Sequence, residues 1–134
     1  MHRFPIRVYY EDTDLAGIVY YANYLKFIER GRSEWLRLLD VDQGALQRQG
    51  FVFAVRRVEA DYLAPARFED LLEVETALRT LSPARIVLDQ CVLRGGQALF
   101  RACVTVACLA ASGRPARIPG AVAARLREAA IAGR

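Results

Sequence analysis

The chain has 134 residues, of which 54% are hydrophobic and 25% are charged, with a formal net charge of +4. This length fits one domain with a sizeable core, and the composition is that of a folded chain rather than a disordered one. The positive charge comes from scattered arginines without a basic run, which argues against nucleic-acid binding. We expect no membrane span and a cytoplasmic location, because no apolar run is long enough and residues 1–5 precede no signal-peptide core.

The first predicted element is a short strand over residues 7–10. Val8, Tyr9 and Tyr10 are β-branched or aromatic, which favours a strand. The next residues, EDTDLAG at 11–17, have the acidic and glycine-containing composition of a turn. We therefore expect a strand followed by an acidic loop.

A helix is predicted after this loop, because apolar residues recur there at helical spacing over about four turns. Asn23 is the expected N-cap. Glycine inside a helix costs about 1 kcal/mol relative to alanine, so Gly31 on the apolar stripe indicates the close approach of another backbone. The apolar stripe is Tyr24, Phe27, Ile28, Gly31, Trp35, Leu38 and Leu39.

The second half of the chain predicts strands joined by tight turns, which favours an antiparallel meander. The nearly all-apolar run at 99–110 predicts a central strand covered on both faces. We expect an α+β fold in one domain over residues 1–134: a curved antiparallel sheet of about five strands wrapped around one long central helix. The predicted segments are a short helical turn within 40–50, strands at 51–63, 71–81, 85–93 and 99–110, and a short C-terminal helix at 119–132.

The three cysteines, Cys91, Cys103 and Cys108, lie in apolar strand-like runs without CxxC spacing. This context predicts buried, reduced, structural thiols. No metal site is predicted, because the single histidine is His2 at the start of the chain.

Several motifs together resemble those of the hot-dog-fold acyl-CoA thioesterases, specifically the YbgC type and the related 4-hydroxybenzoyl-CoA thioesterases. The resemblance covers nearly the whole chain and implies the hot-dog fold, with dimers that form edge to edge and often pair into tetramers. Many YbgC-type members carry histidine where this chain has Tyr21, whereas the hydroxybenzoyl-CoA relatives have tyrosine, so the subgroup and acyl preference stay open. The matching residues are Arg7-Val8, Asp12-Thr13-Asp14, GIVYYANY at 17–24, FIER at 27–30, Arg32, Tyr62, Pro65-Ala66, Asp70, and residues 114–119.

The resemblance places the catalytic carboxylate at Asp14, which could attack the thioester carbonyl carbon or activate a water as general base. Backbone amides at the helix start, Tyr21 first and Ala22 next, could hold the oxyanion, assisted by the helix dipole. Gly17 would let the loop turn tightly enough to bring Asp14 over that end. Because a thiolate leaves readily, no cofactor and no metal are expected; CoA is part of the substrate.

Tyr20, Tyr21 and Tyr24 are predicted to line the substrate pocket, although for Tyr24 a plain core position is the favoured alternative. Arg79 and Arg85 flank a turn at which relatives contact the nucleotide, so they are the candidates for the CoA phosphates. The Arg56-Arg57 pair is a further alternative.

Two acidic residues near Asp14 and on the helix are predicted to be structural. Asp12 should hold the loop through nearby amides. Glu29 should fix the helix together with Arg30 or Arg32, rather than act as the catalytic carboxylate that some hot-dog branches place on the helix.

The leading hypothesis is a homodimeric or homotetrameric acyl-CoA thioesterase. The first alternative is the same fold acting on acyl carrier protein thioesters, whose acidic carrier would suit a basic protein. The second is a non-catalytic acyl-CoA-binding or scaffold module linked to envelope or phospholipid machinery. A hot-dog dehydratase is disfavoured, since such enzymes rely on a histidine.

Overall fold

The computed structural model describes residues 1–132, within which a five-stranded antiparallel sheet carries the helices. The α+β class and the five-stranded antiparallel sheet are thus confirmed. Helix α1 has 16 residues, or about 24 Å of axis. The predicted four turns are therefore confirmed, but the prediction of a long central helix is not. In chain order the elements are β1 (His2–Arg7), a 3-10 turn (Tyr10–Asp12), α1 (Asn23–Leu38), α2 (Gln43–Arg48), β2 (Phe51–Tyr62), β3 (Leu71–Ser82), β4 (Arg85–Arg94), β5 (Gln97–Ala110) and α3 (Gly120–Ala132).

The strand order across the sheet is β1-β3-β4-β5-β2. The predicted meander is confirmed for β3, β4 and β5, which tight turns connect in sequence. Strand β2 does not pair with β3; it lies at the far edge, antiparallel to β5 from Phe51 opposite Ala110 to Tyr62 opposite Phe100. The segment between β2 and β3 therefore crosses the width of the sheet and passes the start of α1, where Val19 N donates to Ala66 O at 2.8 Å.

The predicted strand at residues 8–10 is wrong, because β1 ends at Arg7 and the 3-10 turn follows. The Asp12 carboxylate accepts a hydrogen bond from Tyr9 N at 2.8 Å, which curls the backbone away from the sheet. Val8 stays hydrogen-bonded to the segment just before β3: its N–H donates to Asp70 O at 2.9 Å and its carbonyl oxygen accepts from Glu69 N at 3.0 Å. Local side-chain hydrogen bonding thus outcompetes the strand preference of these residues.

The core lies between α1 and the concave face of the sheet. Trp35 and Phe27 on α1 are fully buried, as is Val104 on β5. Each such side chain contributes about 1.5–3 kcal/mol on burial. Among the helices of residues 1–132, none is long and apolar enough to cross a bilayer.

Strand β5 is paired on both edges but covered on only one face. Its inward residues Val104, Val106 and Cys108 are buried, whereas the outward Cys103 and Thr105 are half-buried. The prediction of cover on both faces is therefore wrong for the single chain. The cysteine prediction is confirmed in part: the three thiols are free, but only Cys108 is buried while Cys91 and Cys103 are half-buried.

Gly31 marks the closest approach between α1 and the sheet. A Cβ added there would lie 2.9 Å from the Cβ of Val74 on β3, closer than real Cβ atoms come. The close neighbour is a side chain rather than the backbone that the sequence indicated. Only a residue without a side chain lets the helix settle on the sheet at this point.

Replacing Gly31 with alanine should lower the free energy of unfolding by about 1–3 kcal/mol, because overpacking strain exceeds the helix-propensity gain of about 1 kcal/mol. Urea unfolding measures the change. Gly120→Ala at the start of α3 is the matched control, since no atom lies within 4 Å of the added Cβ. A Gly31→Ala variant as stable as the wild type would contradict this packing.

Candidate active site

The acidic loop folds into a turn that presents Asp14 to solvent. Gly17 N donates to Asp14 O at 3.0 Å and Asp14 N donates to Ile18 O at 2.9 Å. Gly17 has φ of +79°, a conformation that residues with side chains rarely adopt. The turn requires glycine for this backbone conformation and not for lack of room, because nothing lies within 4 Å of a Cβ placed there.

The Asp14 side chain is exposed, and one of its two carboxylate oxygens is hydrogen-bonded. Its Oδ1 accepts a hydrogen bond from Ala16 N at 2.9 Å, which stiffens the loop as an Asx-type turn. Within residues 1–132, Oδ2 has no hydrogen-bond partner. One carboxylate oxygen is thus hydrogen-bonded to the loop, while the other makes no hydrogen bond to the described residues.

Asp12 ties this loop to the first residue of α1. Its buried carboxylate accepts from Asn23 Nδ2 at 2.7 Å and from Tyr9 N at 2.8 Å. Its carbonyl oxygen accepts from Tyr20 N at 2.8 Å. The structural role predicted for Asp12 is confirmed by these contacts.

The predicted N-cap is wrong: Asn23 is the first helical residue and Ala22 precedes it without a side-chain cap. Because the Asn23 side-chain amide is engaged with Asp12, it caps no backbone amide; the Asn23 N–H itself donates to Tyr20 O at 2.8 Å. Across the described part of the chain, no protein acceptor takes a hydrogen bond from the N–H of Tyr21 or Ala22. These free amides lie at the positive end of the helix dipole, as the sequence predicted.

Tyr62, at the end of β2, fixes the orientation of this backbone. Its hydroxyl donates to Tyr21 O at 2.8 Å. The Tyr21 carbonyl and the Ala22 N–H belong to one planar peptide unit and point in opposite directions. Fixing the carbonyl therefore fixes the direction of the Ala22 amide, a role that sequence spacing alone does not reveal.

Tyr24 is a core residue that also supports the site. It is 3% exposed, it stacks on Phe100 at a centroid distance of 5.1 Å, and its hydroxyl accepts from Ala66 N at 3.0 Å. Burial raises the pKa of Tyr24, while the hydrogen bond from Ala66 lowers it. The plain core position favoured from the sequence is what the structure shows, although one ring edge reaches the neighbouring groove.

An ion pair secures the crossing segment beside Tyr24. Arg94 Nη1 donates to Asp70 Oδ2 at 2.7 Å and to Pro65 O at 3.2 Å. Burial by itself would raise the pKa of Asp70, but hydrogen bonds from Arg67 N and Arg94 outweigh it and hold the pKa below its usual value. Sequence reasoning missed Arg94, because its role requires the crossing segment to lie against β4.

An apolar groove of about 360 Å³ opens beside the free amides. Tyr21 is exposed at its mouth, and Tyr62 forms the opposite wall. Tyr20 is also exposed and contacts the Tyr21 ring at a centroid distance of 5.0 Å. The groove can receive an apolar group whose polar end lies at the helix start; Ile18, Val19, Leu63, Ala64 and Pro65 also line it.

The two predicted phosphate-binding arginines lie elsewhere. Arg79 makes two contacts of 3.0 Å with Asp89 on the outer face of the sheet, opposite α1. Arg85 is exposed at the start of β4 and alternates with the buried Ile86, so it also points outward. A single chain therefore brings Asp14, Gly17, Tyr20, Tyr21, Ala22 and Tyr24 together but not Arg79 or Arg85.

No group of three or more histidine, cysteine, aspartate or glutamate residues in the described chain has the geometry to hold a metal ion. The site combines the Asp14 carboxylate, on a loop tied to the helix start, with the free amides of Tyr21 and Ala22 beside an apolar groove. Such an arrangement can stabilise an oxyanion formed on a bound carbonyl compound.

The comparisons with known proteins identify the class to which this fold and site belong. Residues 8–126 match the family model of the thioesterase-like superfamily. The chain belongs to the thioesterase-like superfamily.

Within that family, the chain is similar to proteins of the YbgC type. It is 45% identical to the acyl-CoA thioesterase YbgC of Haemophilus influenzae over 107 residues, which are 79% of each chain. It is 36% identical to the acyl-CoA thioester hydrolase YbgC of Escherichia coli O6:H1 over 130 residues, 96% of this chain and 97% of the relative. The resemblance to the YbgC type inferred from the sequence is thereby confirmed.

A solved structure extends the likeness to the fold. A thioesterase from Thermus thermophilus, crystallised in complex with coenzyme A and Zn, superposes with a TM-score of 0.82 at 27% identity. The match covers 99% of this chain and 95% of that one. This superposition agrees with the hot-dog fold expected from the sequence.

Proposed function

We propose that this protein hydrolyses acyl-CoA thioesters to a free acid and CoA. The observation that carries the proposal is the free carboxylate oxygen of Asp14 on a loop tied to the helix start, where the Tyr21 and Ala22 amides are unpaired. The names of the YbgC relatives and the CoA complex of the Thermus protein support the substrate class.

In this mechanism the thioester carbonyl oxygen lies against the free amides, which stabilise the negative charge that develops there. Asp14 either attacks the carbonyl carbon or takes a proton from an attacking water. The C–S bond then breaks and its electron pair leaves on sulfur; the thiolate takes up a proton from solvent or, in the general-base route, the proton that Asp14 removed from water. In the direct-attack route, water hydrolyses the resulting anhydride and regenerates the carboxylate.

The CoA phosphates need cationic partners, and Arg79 and Arg85 remain our candidates. Both point from the outer face of the sheet, so they would serve a nucleotide bound between subunits rather than within one chain. The cytoplasmic location expected from the sequence likewise stays a prediction.

Asp14→Asn should lower turnover at least about 100-fold, because it removes the carboxylate charge while keeping the side-chain shape. The measurement is thiol release from a panel of acyl-CoAs, from short aliphatic to aromatic. The fold should be intact, since Asp14 is exposed and asparagine can still accept from Ala16 N.

Glu11→Gln is the matched control, because Glu11 is an exposed acid in the same segment. Its turnover should equal that of the wild type. Unchanged turnover in Asp14→Asn would refute the site assignment. No thiol release by the wild type from any CoA ester would refute the proposed function and favour carrier-protein thioesters or a binding role.

Tyr62→Phe should reduce kcat about tenfold with a smaller change in KM, because the Tyr21 carbonyl loses the hydrogen bond that orients the Ala22 amide. Steady-state kinetics on the best acyl-CoA separates the two constants. Thermal unfolding checks the fold, and only a small shift is expected because Tyr62 is 50% exposed in the single chain. An unchanged kcat would show that the Ala22 amide is not an oxyanion donor.

We also propose that the protein forms a homodimer through the free edge of β2. This edge strand has 12 residues without proline, and its inward-facing Val55 and Val58 are 47% and 36% exposed. The other edge strand, β1, has only six residues and carries Pro5, which limits pairing. We extend the proposal to the tetramer expected from the resemblance, in which two such dimers pair.

Val58→Lys should convert the dimer to a monomer of 15.0 kDa, because it places a charge in an apolar contact. Light scattering after size-exclusion chromatography gives the mass. Ile131→Lys, at an 89% exposed position on α3, is the control and should leave the mass unchanged. A monomeric wild type would refute the proposal.

A further inference from the structure

A second cavity, of about 250 Å³, lies on the same flank of α1, farther from its N-terminus. It is enclosed by α1, α2 and the inner faces of β2, β4 and β5. Four polar side chains, those of Glu29, Arg32, Ser33 and Gln43, line the cavity together with seven apolar residues. The apolar walls include Trp35, Leu36, Phe53, Leu88 and Val106.

Arg32 is held in a fixed position at this cavity. Its Nη1 donates to Gln90 Oε1 at 3.0 Å. Gln90 is 2% exposed, and its Nε2 donates to Ile28 O and to Thr76 Oγ1, both at 2.9 Å. Every polar atom of the Gln90 side chain is thus engaged, so the glutamine cannot turn away from the guanidinium.

The guanidinium nevertheless keeps donors to spare. Of its five N–H groups, the described residues accept only the one from Nη1. Burial lowers the pKa of Arg32 and the nearby Glu29 carboxylate raises it, but an arginine stays charged. A charged group in a largely apolar cavity is stabilised by further hydrogen-bond acceptors.

The cavity is placed to receive the far end of a group bound at the helix start. Arg32 lies eleven positions after Tyr21, or about 16 Å along the axis, and helical side chains lean back toward the N-terminus. Leu25, seven residues before Arg32, is on the same flank and 42% exposed. An exposed apolar side chain therefore lies on this flank between the free amides and the guanidinium.

We propose that Arg32 is a specificity-determining residue that hydrogen-bonds an oxygen atom at the far end of the acyl group. The inference rests on the proposed thioesterase function and deepens it by naming the substrate class. The preferred substrates are acyl-CoAs that carry a hydroxyl or carboxylate remote from the thioester. Glu29 offsets part of the positive charge of Arg32, so a substrate with a neutral hydroxyl and one with a charged carboxylate are tested separately.

The experiment compares binding of dodecanoyl-CoA, 12-hydroxydodecanoyl-CoA and dodecanedioyl-CoA, which share a twelve-carbon acyl chain of suitable length for the distance to Arg32. Asp14→Asn serves as the background to limit turnover, and isothermal titration gives the dissociation constants. The background protein should bind at least one oxygenated ester about tenfold more tightly than dodecanoyl-CoA, as expected for a hydrogen bond to a charged group. Adding Arg32→Met should bring that ratio close to one.

Arg30→Met is the matched control, because Arg30 is an exposed arginine on the same helix but not at the cavity. It should preserve the ratio. Arg32→Lys covers the case in which Arg32→Met does not fold, and it should give an intermediate ratio because lysine keeps the charge but not the planar donor array.

Equal binding of the three esters in the background protein, or an oxygenated-ester preference that survives both Arg32→Met and Arg32→Lys, would overturn the inference. Since the readout is binding, this failure is distinct from that of the proposed function, which is absence of thiol release by the wild type. Size-exclusion chromatography of the Arg32 variants provides the remaining check: loss of the dimer would instead assign Arg32 to the subunit contact.

Discussion

The buried carboxylate of Asp12 holds the site together. Burying an ionised carboxylate is unfavourable unless hydrogen bonds replace its hydration. Asp12 obtains them from the backbone before the loop, at Tyr9, and from the side chain that begins the helix, at Asn23. One group therefore joins the two ends of the turn that carries Asp14, and neither end can move without leaving a buried charge unpaired.

This contact also explains why the helix start remains chemically available. A helix normally satisfies its first amides with a side-chain cap. Here Asn23 is committed to Asp12, and the preceding Ala22 has no side chain able to cap. The structure thus keeps donors free at the positive end of the helix, and Tyr62 fixes the direction of one of them from the far end of β2.

The position of α1 on the sheet links the site to the cavity along its flank. Gly31 lets the helix approach Val74 on β3, and this contact places the following turn over β4. Gln90 of β4 then reaches both the Ile28 carbonyl and the Arg32 guanidinium. The close packing at Gly31 therefore sets the position of the Arg32 guanidinium relative to the apolar residues on the flank of α1.

Sequence by itself determined the class of fold, most element boundaries and the acidic loop that precedes α1. Strong periodicity located β2 to β5 and α3 to within about two residues, and the motif from Asp12 to Tyr24 indicated the family. These features depend on local preference and spacing, which one chain displays directly. The strand predicted at residues 8–10 was wrong because the competing hydrogen bond to Asp12 depends on a loop conformation that propensities do not describe.

Tertiary structure decided what depends on contacts between distant segments. It placed β2 at the far edge of the sheet, left the outer face of β5 uncovered, and separated Arg79 and Arg85 from the acidic loop. It also brought Tyr62 to the Tyr21 carbonyl and Gln90 to Arg32, across 41 and 58 residues of sequence. Periodicity gives the face on which a residue lies, but only the order and curvature of the strands determine which residue it meets there.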